Sequence, residues 1–171
     1  MRIVTERLVL RTAEPGDAEA MHQVLSNPRA MTWWSSLPHE TLDQTEAWLA
    51  GMIANGPDHP DFIIEREGQV IGKAGFWRLP EVGYILHPDH WGQGLAGEAV
   101  GAAIAHVFAA TDIDTLSADV DPENAASIRL LERLGFVKTG FAERTWCIGG
   151  SYKDSVYYGL SRSDWSARRQ A

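Results

Sequence analysis

The sequence predicts a mixed α/β (α+β) fold in a single domain over residues 1–171, and three observations carry that expectation. The chain has 171 residues, 44% of them hydrophobic, which suits one globular body with a full core. Strand-like and helix-like segments are mixed without strict alternation, which argues against a doubly wound parallel sheet. Mid-chain, the run HPDHWGQGLAGEA, from His87 to Ala99, joins an apolar strand to an Ala-rich helix through Gly92, Gly94 and Gly97. Glycines let backbone approach an anion closely, and N–H groups in a helix's first turn lack partners of their own. That stretch is therefore a candidate phosphate site.

The elements follow in order. Leu8 to Arg11 reads as a first strand. In GDAEAMHQVLSN, Ala18, Met21, Val24 and Leu25 share one helical face, and Pro28 ends the helix. Thr41-Leu-Asp-Gln44 has capping-box form and opens a helix through about Asn55 that buries Trp48, Leu49 and Met52. Phe62 to Glu65 and Val70 to Trp77 are strands joined at Glu67-Gly68-Gln69, and Val82 to Leu86 is the next strand. The glycine loop leads into a helix over Leu95 to Ala110. Thr115 to Val120 is a strand, and Asp121-Pro122-Glu123-Asn124 starts a helix that Gly135 ends. Phe136 to Phe141 and Tyr152 to Leu160 are two late strands, followed by a short polar tail.

Composition narrows the function classes. The formal net charge is −8, and no basic block precedes Arg168–Arg169, so nucleic-acid binding is disfavoured. Cys147 is the single cysteine, which rules out an internal disulfide and a cysteine metal cluster; it reads as a small buried hydrophobe. The start, MRIVTERLVL, has no signal-peptide core, and no apolar run reaches membrane-spanning length. The expectation is a soluble cytoplasmic protein with no membrane partner.

Three nucleotide readings compete for the glycine loop. A P-loop needs a Lys that is absent here. Gly92-x-Gly94-x-x-Gly97 has dinucleotide spacing, yet it falls mid-chain after an antiparallel-looking hairpin, with no acidic ribose partner at a strand end. A kinase loop needs far more chain.

A second segment, DPENAASIRLLERLGF (Asp121 to Phe136), decides between them. Together the two segments resemble the GCN5-related N-acetyltransferase (GNAT) superfamily. Trp91-Gly92-Gln93-Gly94-Leu95-Ala96 is similar to its acyl-CoA pyrophosphate loop, and Asp121 to Phe136 to its later N-x-x-S…LGF helix. TERLVLRTAEPGDAEAM, EVGYILHPDHWGQGLAGEA and KDSVYYGL resemble the branch that acetylates ribosomal-protein N-termini. Two departures stand out. Trp91 replaces the Gln or Arg common in the superfamily. Leu131 stands where many members carry a Tyr that protonates the leaving thiolate.

The resemblance implies a mostly antiparallel central sheet with a splayed parallel strand pair, flanked by about four helices. It implies an N-acetyltransferase with acetyl-CoA as co-substrate and no metal. The acceptor would be a primary amine, on a small molecule or a protein N-terminus. A non-catalytic acyl-CoA-binding module of the same fold is the alternative. Late strands in this superfamily often pair, so a homodimer is an option. Backbone and side chains at Trp91, Gly92, Gln93, Gly94, Leu95, Ala96 and Gly97 would hold the pyrophosphate. Ile85, Leu86 and His87 would pair with the pantetheine arm, Asn124 would bond its amides or merely cap the helix, and Ser127 would meet its thiol end.

Two residues carry the implied chemistry. Glu81 is the implied general base, set against a plain solvated carboxylate. Ser127 is the group implied to meet the thiolate, set against an ordinary first-turn serine. Trp33 and Trp34 are acceptor-cleft candidates, with Trp77 and Trp146 beside them. Asp154 and Tyr157 face the acceptor or stabilise the sheet end. Glu98 would repel phosphates if it pointed inward, so it reads as packing or capping. His87, Asp89 and His90 lack a further paired ligand, which argues against a metal.

Overall fold

The computed structural model describes residues 1–168 of the chain. Its elements run β1 (Arg2–Val4), β2 (Val9–Arg11), α1 (Ala18–Leu25), α2 (Leu42–Ala54), β3 (Asp61–Arg66), β4 (Gln69–Arg78), β5 (Glu81–Leu86), α3 (Leu95–Ala110), β6 (Thr115–Val120), α4 (Ala125–Leu134), β7 (Val137–Ile148), β8 (Ser151–Ser161) and α5 (Arg162–Arg168). Short 3-10 turns lie at Pro15–Asp17, Ala30–Trp33 and Pro88–His90.

The strands form one 8-stranded sheet in the order β1-β2-β3-β4-β5-β6-β8-β7. Every neighbouring pair is antiparallel except β5 and β6. Those two run parallel and pair only at Glu81 and Ser117. The Ser117 N–H also reaches the Pro80 carbonyl at 3.0 Å. Beyond that point β5 and β6 separate, and the sheet is open between them.

The sheet divides the apolar residues into two cores. Phe62 and Ile64 of β3 join Leu95, Val100, Ile104, Leu131 and Phe136 in the larger one, under α3 and α4. Ile63, between them, turns to the other face with Met21, Leu25, Leu49 and Met52 of α1 and α2. This alternation is the period of two that a strand buried on both faces requires.

Local signals explain the helix ends. Thr41 and Gln44 form the expected capping box on α2. Gly94 precedes α3 with φ of 77°, and Gly135 closes α4 with φ of 99°. Both are left-handed positions that glycine adopts without steric cost.

The structure differs from the sequence reading at the edges. The first strand is two short ones, β1 and β2, paired Arg2 to Arg11 and Val4 to Val9. The late strands extend into one long hairpin, turned by Gly149 and Gly150 with φ of 57° and 81°. Positive φ at both centre positions fits the turn that suits strand twist. The tail is partly helix: in α5, Trp165 packs on Phe108 with ring centroids 6.5 Å apart. Residues 169–171 of that tail lie outside the described residues. Cys147 is exposed rather than buried, because β7 is an edge strand with most of its residues facing solvent. No helix among the described residues is long and apolar enough to cross a membrane.

Candidate active site

The gap between β5 and β6 opens into one continuous cavity of about 1300 Å³. Its walls come from β5, the glycine loop, the start of α4, the turn after α1 and the β7–β8 hairpin.

Ladder alternation determines which backbone groups face the gap. The His87 N–H donates to the Ile71 carbonyl of β4 at 2.9 Å. Bonded pairs alternate along an antiparallel ladder. Lys73 stands opposite Ile85, and Gly72 opposite Leu86. Ile85 and His87 therefore turn their backbone groups toward β4, while Tyr84 and Leu86 turn theirs toward the gap. Of the three residues expected to pair with a pantetheine arm, only Leu86 offers backbone there. Its carbonyl already accepts from the Trp91 indole N–H at 2.9 Å, which leaves its N–H. The Arg29 guanidinium stacks over that same indole, 5.5 Å from the ring centroid.

The glycine loop is braced from behind. Glu98, one turn into α3, accepts from the Thr5 hydroxyl at 2.6 Å, the Arg7 N–H at 2.9 Å and Arg7 Nε at 2.7 Å. Arg7 Nη1 reaches the Gln93 carbonyl at 2.8 Å, and Arg66 reaches Gln93 Oε1 at 2.7 Å. Burial pushes the Glu98 carboxyl up, but hydrogen bonds from Thr5 and Arg7 outweigh it and hold it below the usual range. Glu98 thus turns away from the loop's mouth. Cβ positions built on Gly92 and Gly97 meet nothing within 4 Å. The first-turn N–H groups of α3, at Leu95, Ala96 and Gly97, have no intrahelical carbonyl to bond. Residues and room fit a diphosphate.

Asn124 Oδ1 accepts the Ser127 N–H at 3.1 Å, capping α4. Ser127 is 9% exposed, and its hydroxyl is hydrogen-bonded to the Tyr84 hydroxyl of β5. Burial pushes the Tyr84 phenol up to about 12. Sequence reasoning missed Tyr84. The signal was the Val82, Tyr84, Leu86 alternation, which puts a phenol on the face of β5 turned toward α4.

Glu81 lies at the narrow end of the gap. Its carboxyl is raised above the usual range, first by burial, then by the Asp119 charge, against the lowering effect of Arg78. Asp119 Oδ2 accepts the Trp146 indole N–H at 3.0 Å. Trp33, Trp34, Trp48 and Trp77 line the same end of the cavity. The Lys153 ammonium sits 5.8 Å from the Trp33 ring and 3.9 Å from Asp121. The hairpin tip closes this end: a Cβ on Gly149 would come 3.0 Å from Leu37.

Other expected site residues have different duties. Asp154 lines the cavity, and its Oδ1 accepts the Arg144 N–H at 2.8 Å where β7 loses register. Arg144 has φ of 55°, so Asp154 holds a left-handed bulge. Tyr157 lies off the cavity, with its ring against Gly140. Gln93 turns its side chain to Asp89 and Arg66. The His87 ring accepts the Asp89 N–H at 3.4 Å, and no group of three potential metal ligands is assembled among the described residues.

Comparisons with known proteins agree with this geometry. Residues 7–137 match the family described as Acetyltransferase (GNAT) domain. The chain is 32% identical to the uncharacterized N-acetyltransferase p20 of Bacillus licheniformis, over 81% of this chain and 83% of that one. It is 30% identical to the [ribosomal protein uS5]-alanine N-acetyltransferase of Escherichia coli, over 99% of this chain and 95% of that one. The solved spermidine N-acetyltransferase of Vibrio cholerae, in complex with CoA and spermine, has the same fold. Its TM-score is 0.79 at 24% identity, covering 95% of this chain and 99% of that one. The chain therefore belongs to the GNAT family of N-acetyltransferases, which take their acyl group from acetyl-CoA.

Proposed function

We propose that the protein moves an acetyl group from acetyl-CoA to a primary amine, by direct attack of the amine in a complex holding both substrates. The observation that carries this reading is the single cavity with Glu81 at one end of the β5–β6 gap, Ser127 midway and the glycine loop at the other end. Relatives act on different amines: one is named for the alanine of ribosomal protein uS5, another for N(1) of spermidine.

In this reading the loop glycines and the N–H groups of Leu95, Ala96 and Gly97 bind the pyrophosphate of acetyl-CoA. The α3 dipole adds about 0.3–1 kcal/mol. The free Leu86 N–H faces the thioester oxygen, where one preorganised donor is worth roughly 3–4 kcal/mol as charge develops. Glu81 takes the proton from the acceptor ammonium. Its raised pKa brings it nearer to an amine's own, which improves a general base. The C–N bond forms, the C–S bond breaks, and the electron pair leaves on sulfur.

Ser127 then donates a hydrogen bond to the thiolate, and Tyr84 holds Ser127 in position. Full proton transfer from Tyr84 is the weaker alternative. A phenol near 12 giving its proton to a thiolate of ordinary pKa near 8.5 is uphill by about 5 kcal/mol. Tyr84 therefore stays protonated. When it donates to the Ser127 oxygen, the Ser127 proton is left to point at sulfur. Leu131, where many relatives place a tyrosine, is fully buried in the larger core, so the pair from β5 and α4 supplies the polar contact instead.

The test follows thiol release from acetyl-CoA in the presence of primary amines, with CoA binding read by thermal shift. Amine-dependent release supports the transferase. Stabilisation by CoA with no release on any amine supports the non-catalytic alternative.

A further inference from the structure

We infer that the acceptor is a monoamine carried on a flat apolar body, of the arylalkylamine class. The inference rests on the acetyl-transfer reading and specifies its acceptor.

Five tryptophans from four segments line the acceptor end: Trp33 and Trp34 from the turn after α1, Trp48 from α2, Trp77 from β4 and Trp146 from β7. Trp33, Trp77 and Trp146 remain 41%, 46% and 41% exposed. Large indole surface left open to water in a concave wall is unfavourable unless something flat and apolar covers it.

Of the carboxylates at this end, Glu81 is the one with no protein contact to give up among the described residues. Asp119 accepts the Trp146 indole N–H, Asp121 stands 3.9 Å from Lys153, and Asp154 accepts the Arg144 N–H. Asp61 lies 2.6 Å from Lys73 in a buried pair whose side chains are 0% and 3% exposed. Glu81 is the cleft carboxylate with no hydrogen-bond or ion-pair partner among the described residues. Each further ammonium of a polyamine would have to compete with one of these protein contacts for its carboxylate. Nor is there a free lysine for an acceptor's own carboxylate, since Lys73 and Lys153 are both committed. Arg78 is set opposite Glu81 across the β4–β5 turn, with no ion pair between them among the described residues.

The π faces point the same way. Indoles attract cations, so a tryptophan wall alone would also suit a polycation. Here Lys153 lies 5.8 Å from the Trp33 ring and Lys73 5.9 Å from the Trp34 ring. Those two faces already have cations, which weakens their use for acceptor ammonium groups. The remaining indole surface suits the substrate's body, and Glu81 its amine.

The experiment compares kcat/KM by thiol release for 3-phenylpropylamine, n-propylamine, spermidine and an alanine-starting tetrapeptide. Calorimetric titration of 3-phenylpropylamine into CoA-loaded protein runs alongside. The expected result is at least a tenfold preference for 3-phenylpropylamine over each of the others. Trp77→Ala narrows its ratio to n-propylamine. Faster turnover of spermidine or the peptide, or a ratio near one, overturns the acceptor class and leaves acetyl transfer standing. Binding of 3-phenylpropylamine without turnover of any amine supports the cleft's specificity and overturns acetyl transfer. Neither binding nor turnover overturns the acceptor class, with CoA thermal shift still reporting on the donor site.

Discussion

The Tyr84 hydroxyl on β5 is hydrogen-bonded to the Ser127 hydroxyl on α4, 43 residues away in sequence and across the mouth of the β5–β6 gap. Neither residue needs the other to fold its own element. Ser127 lies in the first turn of a helix that Asn124 already caps, and Tyr84 lies in a strand already paired to β4. The pairing therefore matters for where the serine proton points.

On the proposed mechanism Ser127→Ala removes a hydrogen bond to a charged sulfur, worth roughly 1.5–3 kcal/mol, so kcat should fall roughly 10- to 100-fold. Tyr84→Phe should lower kcat about tenfold with the KM for acetyl-CoA unchanged. The double variant should be no slower than Ser127→Ala alone, because the two act as one unit. Steady-state kinetics on the four proteins decide this. Additive losses, or a Tyr84→Phe effect confined to KM, would refute the positioning role. Melting curves separate kinetic loss from misfolding.

On the proposed mechanism the pH dependence follows from Glu81. Burial, then the Asp119 charge, raises its carboxyl above the usual range. The base form appears as pH rises through that raised value, so kcat/KM should climb there and be suppressed below it. Asp119→Asn keeps an oxygen for the Trp146 indole but removes the neighbouring charge. The acid limb should then move to lower pH. Glu81→Gln should abolish the limb and reduce kcat/KM by roughly 10²- to 10⁴-fold. A limb unmoved in Asp119→Asn would mean that another group titrates.

Much of this was readable from local patterns, and what was not has identifiable physical causes. The boundaries of α3 and β6 follow from their apolar content and flanking glycines or polar turns, and the structure places them at the residues expected. The Thr41–Gln44 capping box and the Gly135 stop are short-range chemistry, so sequence alone exposes them. The length of β7 was hidden because an edge strand with a solvated face has no apolar alternation, and residues after Ala142 lose register. Gly149-Gly150 was the overlooked turn signal. Tyr84–Ser127 and Arg7–Glu98 were beyond reach, since each joins side chains more than 40 residues apart. The open sheet came from resemblance rather than from any residue pattern, because splay is a property of two strands and not of either one.

The Arg7–Glu98 clasp should tune donor binding. Arg7 is 41% exposed in its side chain, so the ion pair alone contributes only about 0.5–1 kcal/mol to stability. Its larger effect is to fix the Gln93 carbonyl and so the loop's N–H groups. Glu98→Ala should raise the Kd for CoA roughly three- to tenfold, about 1 kcal/mol of added ordering cost, with a small change in melting temperature. Glu98 has a lowered pKa, so its contribution is complete above the ordinary glutamate value near 4.3 and is lost as pH falls through the lower folded value. Calorimetry of CoA binding at neutral pH checks the variant. An unchanged Kd would show that the loop holds its shape without the clasp.

Gly72 on β4 should be the least replaceable glycine under the site. Its φ is 156°, and a Cβ there would come 2.1 Å from the Ile85 carbonyl oxygen and 2.9 Å from Leu86 Cα. Both are backbone atoms of the strand that presents the Leu86 N–H, so nothing flexible can give way. Gly72→Ala should cost about 2–4 kcal/mol and lower the melting temperature by roughly 5–15 °C. Gly83, on β5 itself, has nothing within 4 Å of its Cβ position and an ordinary φ. Gly83→Ala should therefore leave the melting temperature within a few degrees of the parent. Because Gly72→Ala displaces β5 relative to β4, residual soluble protein should also lose kcat more than it loses CoA affinity. The glycine loop is held by Arg7, Glu98 and Arg66, whereas the Leu86 N–H depends on where β5 lies. Thermal melts of both variants, followed by CoA titration and single-turnover kinetics on whatever folds, test this. Equal loss of CoA affinity and turnover would mean that strand and loop move as one body.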